Sequence, residues 1–262
     1  MTKISKVITT FLQIYYAYMV EYRAELFLWA MSGLLPLIIM GIWIEAAQSV
    51  DMGLTPVKFA QYFLAVYVVR QTGVVWVIWE FEKEVVEGKL SPKLLQPVDP
   101  VWHHLLSHIA ERFARMPFII GLIIIFFLLY PQAFWIPSWQ QIIITTLVIC
   151  LVFALRFLIQ YTFALCSFWF EKATTIEQLW QLFYLVLSGM IAPLEVFPPT
   201  IRNIALITPF PYLINFPASI LVGLPVNIDQ GLLVVGLWSL LFWVLNRWLW
   251  QKGLKHYSGM GA

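Results

Sequence analysis

Long runs of apolar residues without a charged side chain divide this chain into predicted membrane-spanning helices. The hydrocarbon core of a bilayer is about 30 Å thick, so a spanning helix needs roughly 20 mostly apolar residues. The charge-free stretch 116–155 is long enough for two helices, with a turn at Tyr130-Pro131. Six spans are predicted in total, at 26–44, 59–79, 116–134, 140–170, 174–191 and 231–248.

Residues 1–24 follow a different pattern, in which apolar side chains recur on one side of a helix. The apolar face carries Ile4, Val7, Ile8, Phe11, Tyr15 and Tyr18, and the other side carries Lys3, Lys6 and Gln13. This pattern predicts an amphipathic helix that lies in the membrane interface. A signal peptide is the alternative, and it is disfavoured because no small-residue cleavage site precedes the charged Glu21 and Arg23.

Composition agrees with an all-α, polytopic membrane protein that forms one transmembrane domain over residues 1–262. The chain is 61% hydrophobic and 11% charged, with a mean hydropathy of +0.81, whereas a soluble domain carries about 25% charged residues. Cys150 and Cys166 are too few for a disulfide framework and are expected to pack as small apolar residues. The net charge of +2 argues against nucleic acid as a partner.

Lysine and arginine are unevenly divided between the two sides of the predicted spans. Twelve of the sixteen fall on the side of the N-terminus, whereas only Lys58 and Arg202 fall on the other side. Arg70 and Arg156 lie within spans. Because cytoplasmic loops are enriched in positive charge, this division predicts that both termini are cytoplasmic.

Segment 80–100, on the predicted cytoplasmic side, carries eight charged residues and does not read as a span. Glu80, Glu84 and Glu87 recur at helical spacing, Gly88 suits a helix C-cap, and Ser91-Pro92 suits the start of a short helix. Leu94 and Leu95 give that helix an apolar face, and Pro97 and Pro100 are expected to end it. The apolar face could anchor in a partner's groove while the glutamates pair with basic groups there. An ordinary solvated loop is the alternative.

Segment 188–228 is apolar but is interrupted too often to span the membrane. The interrupting residues are Gly189, Pro193, Pro198, Pro199, Pro209, Pro211, Pro217, Gly223 and Pro225. Broken backbone at membrane depth is tolerated only where protein buries it or where it lines a cavity. The segment is therefore predicted to form two short re-entrant helices, near 199–207 and 212–221, in the outer leaflet. Two additional spans are the alternative, disfavoured because an uninterrupted apolar run is missing.

Two arginines are predicted near the middle of the membrane, where each costs about 2.5–3.5 kcal/mol to insert. No acidic residue is expected at matching depth in any span. One hypothesis is that Arg70, Gln71, Arg156 and Gln160 line a substrate path that favours a polar or anionic headgroup. The alternative is that the arginines bond backbone carbonyls or extend toward a lipid phosphate.

Motifs for chemistry within the chain are not found in the sequence. Gly88-Lys89 lacks the upstream glycine and the hydroxyl residue of a phosphate-binding loop. His103, His104 and His108 do not share one helix face, so they are interpreted as interfacial residues rather than metal ligands. The sequence therefore predicts neither catalysis nor a bound metal or cofactor in this chain.

The order of these features resembles the permease subunit of type-2 ATP-binding-cassette exporters, a group that includes polysaccharide, drug and lipid exporters. The resemblance covers essentially the whole chain. It is carried by Glu87-Gly88-Lys89-Leu90 with Leu94-Leu95 and Pro97, by Leu187-Ser188-Gly189 through Pro193-Leu194 to Phe197-Pro198, and by Pro209-Phe210-Pro211-Tyr212.

The resemblance implies several functional roles. Segment 80–100 would contain the coupling helix that docks on an ATPase subunit, which would bind the ATP and Mg²⁺. Gly189, Pro193, Pro198, Pro209 and Pro211 would belong to an outer gate. The permease would work as a dimer of identical or related chains in the bacterial plasma membrane, exporting a lipid, a glycolipid or polysaccharide, or an amphipathic drug. A membrane-embedded lipid-modifying enzyme and a non-transporting assembly protein are the alternative functions.

Overall fold

The computed structural model describes residues 3–50 and 52–257, and within these ranges the chain forms helices and turns without a strand. The α-helices are α1 (Lys3–Glu21), α2 (Arg23–Ser32), α3 (Leu35–Ser49), α4 (Pro56–Gly73), α5 (Val77–Val86), α6 (Leu90–Leu94), α7 (Pro100–Leu129), α8 (Trp139–Leu165), α9 (Thr174–Leu187), α10 (Pro199–Ile207), α11 (Phe210–Leu213), α12 (Asn215–Val222) and α13 (Ile228–His256). Short 3-10 turns occur at Pro131–Ala133, Cys166–Phe168 and Leu194–Val196.

Five helical segments in the described part of the chain are long and apolar enough to cross a membrane. They are Arg23–Ser49, Pro56–Val86, Pro100–Leu129, Trp139–Phe168 and Ile228–His256. Each overlaps one predicted span, and the first two segments each consist of two helices joined at a break. The predicted span at 174–191 contains the 14-residue α9, which is shorter than a bilayer crossing needs. The all-helical, multi-pass class is confirmed, and the span at 174–191 stays a prediction.

The third crossing begins 16 residues earlier than the sequence predicted, at Pro100 instead of residue 116. Asp99 is its N-cap, and the side-chain oxygen accepts a hydrogen bond from the Val101 N–H at 3.0 Å. Pro100 occupies the first helical position, where its missing N–H costs nothing. The prediction that Pro100 ends the preceding short helix was therefore wrong, because this proline starts the next one.

Helix α1 packs along the first half of α7. The Phe11 ring lies 4.7 Å from the His103 ring, and the Tyr15 hydroxyl lies 3.1 Å from His103 Nδ1. Both α1 residues belong to the predicted apolar face, whereas Val7, Ile8 and Tyr18 of that face are exposed. A helical N-terminal segment is confirmed, and its place in the membrane interface stays a prediction. Residues 1 and 2 of that prediction lie outside the described ranges, and α1 ends at Glu21 rather than at residue 24.

Two buried apolar clusters hold the bundle together. The larger one joins α4 and α8 to the segment 188–228, and α12 within that segment packs against both helices. The smaller one joins α5 and α6 to the last turns of α8, around the Phe81 ring, whose centroid lies 5.4 Å from that of Tyr161 and 5.6 Å from that of Phe168. We call the end of the bundle with the smaller cluster the α6 end.

Candidate functional site

The break between α4 and α5 is closed by a side chain from α7. Residues 74–76 leave the helical path, so carbonyl groups lose their partners in the second crossing. The Arg112 guanidinium donates to the Thr72 carbonyl at 2.5 Å and to the Val74 carbonyl at 3.0 Å. It also stacks over the Phe153 ring, 3.4 Å from the ring centroid. One arginine therefore satisfies the broken backbone and ties α7 to α4 and α8.

His108 satisfies the donor on the other side of this break. Its Nε2 accepts a hydrogen bond from the Trp76 N–H at 2.8 Å, and its Nδ1 lies 2.8 Å from the His104 carbonyl. Accepting at Nε2 while donating from Nδ1 requires the neutral tautomer with its proton on Nδ1. His108 is buried inside the bundle, where it fixes the backbone at the break.

Gln71, a residue of the second crossing that was predicted to line the pathway, forms a hydrogen bond to the backbone of the first crossing. Its Nε2 donates to the Ala30 carbonyl at 2.9 Å, beside the break between α2 and α3. Its Oε1 accepts from Arg115 at 3.3 Å, and Arg115 also pairs with Glu111 one turn before it. Gln71 therefore links the first, second and third crossings through buried hydrogen bonds.

Arg156 and Gln160 lie on α8 and meet an acidic residue that the sequence did not place there. The Arg156 guanidinium donates to the Tyr184 hydroxyl at 2.5 Å and lies 4.5 Å from the centre of that ring. Glu177 on α9 is fully buried beside Gln160 and Arg156, and its carboxylate accepts from Gln181 at 2.7 Å. The expectation that no acid lies level with the arginines was therefore wrong at Glu177.

Four arginines gather in this region, of which the sequence predicted two. Arg70 is close enough to Arg115 and to Arg156 for each of their charges to repel its own. Arg112 and Arg115 are among the twelve basic residues that the sequence predicts on the cytoplasmic side, because the charge-free run starts only at residue 116. The Asp99-Pro100 helix start was the signal that would have placed both inside a 30-residue helix.

Segment 80–100 forms a helix end, a glycine turn and a short helix, as predicted. Helix α5 ends at Val86, Glu87 is its C-cap, and Gly88 follows with a φ of 70°. That left-handed conformation favours glycine because it has no Cβ. Leu90 then turns inward and is completely buried in the smaller apolar cluster. The short helix is therefore fixed to the bundle by its first residue.

The glutamates of this segment have partners within the chain. Glu84 pairs with Lys93 at 2.5 Å, and His104 lies 3.4 Å from both Glu80 and Glu84. Glu87 pairs with Lys89 at 2.5 Å on the surface, and this hydrogen bond lowers the pKa of the Glu87 carboxyl. Pairing of these glutamates with basic groups of a partner stays a prediction.

Two hydrogen bonds attach segment 80–100 to other helices at the α6 end. The Glu82 carboxylate accepts from the Thr174 N–H at 2.7 Å and so caps α9. The Ser91 hydroxyl lies 3.1 Å from the Tyr257 hydroxyl, just after the end of α13. In contrast, Leu95 is 88% exposed, and Pro97 and the polar Gln96 beside it are exposed too. Leu94 is half-buried.

The prolines of segment 188–228 mark the starts of its helical turns. Pro193 precedes the turn Leu194–Val196, Pro198 is the N-cap of α10, Pro209 is the N-cap of α11, and Pro211 lies in the first turn of α11. Helix α10 has the predicted bounds, whereas the predicted helix 212–221 is divided between α11 and α12. A kink at Ile214 separates these two helices.

Gly189 joins this segment to the second crossing. The Tyr62 hydroxyl lies 2.8 Å from the Gly189 carbonyl and 2.7 Å from Asn215 Oδ1, and the Asn215 N–H donates to the Ser188 carbonyl at 2.9 Å. Gly189 has a φ of 89°, and a Cβ there would lie 2.6 Å from the Tyr62 oxygen. The turn, Tyr62 and Asn215 thus form one buried unit, which we call the Tyr62 clamp.

Comparison with known proteins identifies the family. A search of curated proteins found no match. The model of the family described as ABC-2 family transporter protein matches residues 73–261, which include the break after α4, the short helix α6, the Gly189 turn and the final crossing. Since this match covers most of the chain and fits its multi-pass helical fold, the chain belongs to the ABC-2 transporter family.

Proposed function

We propose that this chain is the permease subunit of an ATP-driven exporter and that a separate ATPase subunit supplies the work. The observation that carries the proposal is the family match over 73–261 together with α6, a short helix held between two crossings. The chain would form the path for a lipid, a glycolipid or polysaccharide, or an amphipathic drug. Two permease chains would assemble with the ATPase subunits in the plasma membrane, with ATP and Mg²⁺ on the ATPase.

The contacts of α6 support a role as the coupling helix. Leu90 is buried in the bundle, while Leu95 presents an apolar side chain to solvent. The hydrogen bonds from Glu82 to Thr174 and from Ser91 to Tyr257 connect this segment with α9 and α13. Movement of a partner bound at Leu95 would therefore tilt several helices as one body.

Replacing Leu95 with aspartate is expected to weaken binding of the ATPase subunit. Burying a leucine side chain contributes about 1.5–3 kcal/mol, so its loss should weaken binding about tenfold to hundredfold. The measurement is the amount of ATPase subunit that co-purifies with a tagged permease from its native membranes. Ile136→Asp is the matched control, because Ile136 is 79% exposed at the opposite end of the bundle. Equal retention of the ATPase by both variants would contradict the coupling role.

The polar residues inside the bundle support a transport path near Arg156. Arg156, Gln160 and Glu177 are buried together between α8 and α9, and among the described residues Gln160 Oε1 and Glu177 Oε2 have no hydrogen-bond partner. Unsatisfied groups of this kind are costly at membrane depth unless water or a ligand reaches them. Segment 188–228 would close this path on the outer side.

A cysteine placed at Gln160 is expected to react with a charged thiol reagent while the assembled transporter hydrolyses ATP. The native thiols are removed by Cys150→Ala and Cys166→Ala, and labelling of Gln160→Cys by a methanethiosulfonate ammonium reagent is followed by mass. Val148→Cys is the control, because Val148 is equally buried on α8 but lies in the apolar cluster. If both cysteines stay unlabelled during turnover, Gln160 does not line the path.

A further inference from the structure

A groove lies between the N-terminal helices and the second and third crossings, and it borders the arginine cluster at Arg115. It consists of two adjoining cavities of about 280 Å³ and about 220 Å³, which share Tyr18, Met19 and Glu80. Helices α1 and α2 form one wall, and α5 and α7 form the other. The family match and the proposed transport path assign no role to this groove.

Aromatic rings form much of the groove wall. Trp29 and Trp76 pack against each other with ring centroids 4.9 Å apart, and Tyr18 and Tyr22 do the same at 4.8 Å, so the wall carries two aromatic pairs. The negative face of an aromatic ring attracts a cation placed within about 6 Å of its centre. A groove wall built from these two aromatic pairs is therefore suited to an organic cation.

The charged side chains of the groove also favour a cation. Glu84 is neutralised by Lys93, and Glu111 is neutralised by Arg115. Within the described ranges, Glu80 has only His104 beside it, at 3.4 Å, and Glu25 has no ion-pair partner. The groove thus carries more negative than positive charge, and an anion would be repelled.

We propose that this groove binds the ammonium head of an amphiphile, with the aromatic rings and Glu80 around the charge. Apolar side chains of Ile14, Met19 and Leu26 also line it and would accept the alkyl chain. The proposal concerns binding by the chain itself, so it does not depend on ATP-driven export. An ammonium lipid and a soluble amine amphiphile share this chemistry.

The probe is hexyltrimethylammonium, titrated calorimetrically into the purified full chain in uncharged dodecyl maltoside micelles, with empty micelles as the blank. Hexyl sulfate and hexanol are the anionic and neutral controls. We expect the ammonium probe to bind at least about tenfold more tightly than either control, and Trp76→Leu or Glu80→Gln to weaken it about threefold to tenfold. Trp139→Leu and Glu45→Gln, at exposed positions outside the groove, should leave binding unchanged.

Equal binding of the three probes, or full binding by both groove variants, would overturn the proposal. If Trp76→Leu does not fold, Glu25→Gln replaces it, because Glu25 is exposed and has little part in packing. Adding phosphatidylcholine or phosphatidylglycerol to the micelles separates the sources of the ligand. Competition by phosphatidylcholine alone supports a lipid headgroup, no competition by either supports a soluble amphiphile, and equal competition by both contradicts ammonium recognition.

Discussion

Gly189→Ala is expected to destabilise the protein by about 3 kcal/mol, one of the largest effects of a single added methyl group in this chain. Two costs combine at this position. A residue with a Cβ is strained at a φ of 89°, and the added carbon would lie 2.6 Å from the Tyr62 oxygen and 2.7 Å from Asn215 Cβ. The Tyr62 clamp cannot give way easily, because both of its side chains are buried and hydrogen-bonded.

Unfolding of a protein of this kind is commonly irreversible, so the measurement is the half-life of the folded chain at a fixed temperature in detergent. Gly236→Ala is the control. Gly236 lies within α13 with open space where a Cβ would be, so alanine should be neutral or stabilise the helix by roughly 0.5–1 kcal/mol. Similar half-lives for the two variants would show that the clamp does not constrain the Gly189 turn.

Arg112→Met is expected to cost about 3 kcal/mol, because it leaves the Thr72 and Val74 carbonyls without partners inside the bundle. Water cannot replace the guanidinium easily at that depth. Arg112→Lys should recover only part of the loss, since one ammonium group lacks the planar fork that reaches both carbonyls and stacks on Phe153.

The same half-life measurement applies, supported by the rate of proteolysis near residues 73–77. Arg23→Met is the control, because Arg23 is an exposed arginine of α2. The role of Arg112 in closing the break would be wrong if lysine restored full stability, or if methionine at position 112 cost no more than methionine at position 23.

Local signals predicted the parts of the fold where backbone chemistry alone decides the outcome. Pro199 and Pro209 fix the bounds of α10, since one proline starts a helix and the next cannot continue it. Gly88 likewise ends the helix before it through a left-handed conformation. The apolar face of α1 was visible from the spacing of Phe11 and Tyr15.

The polar network was not predictable from spacing, because it depends on which helices become neighbours. His104, His108 and Arg112 lie on the face of α7 that meets α5 and the break after α4. Their partners outside α7 are backbone groups and glutamates between 20 and 40 residues away in the chain. Glu177 was missed for the same reason, since only the packing of α9 on α8 brings it beside Arg156.

The position of α1 also sets an order in which the helices of this protein can pack during synthesis. Its hydrogen bond from Tyr15 joins two residues 88 positions apart, and its main neighbour is the first half of α7. When the first crossing leaves the ribosome, that neighbour does not yet exist. Helix α1 therefore gains its main packing partner only after the first two crossings have been made, when the third one follows.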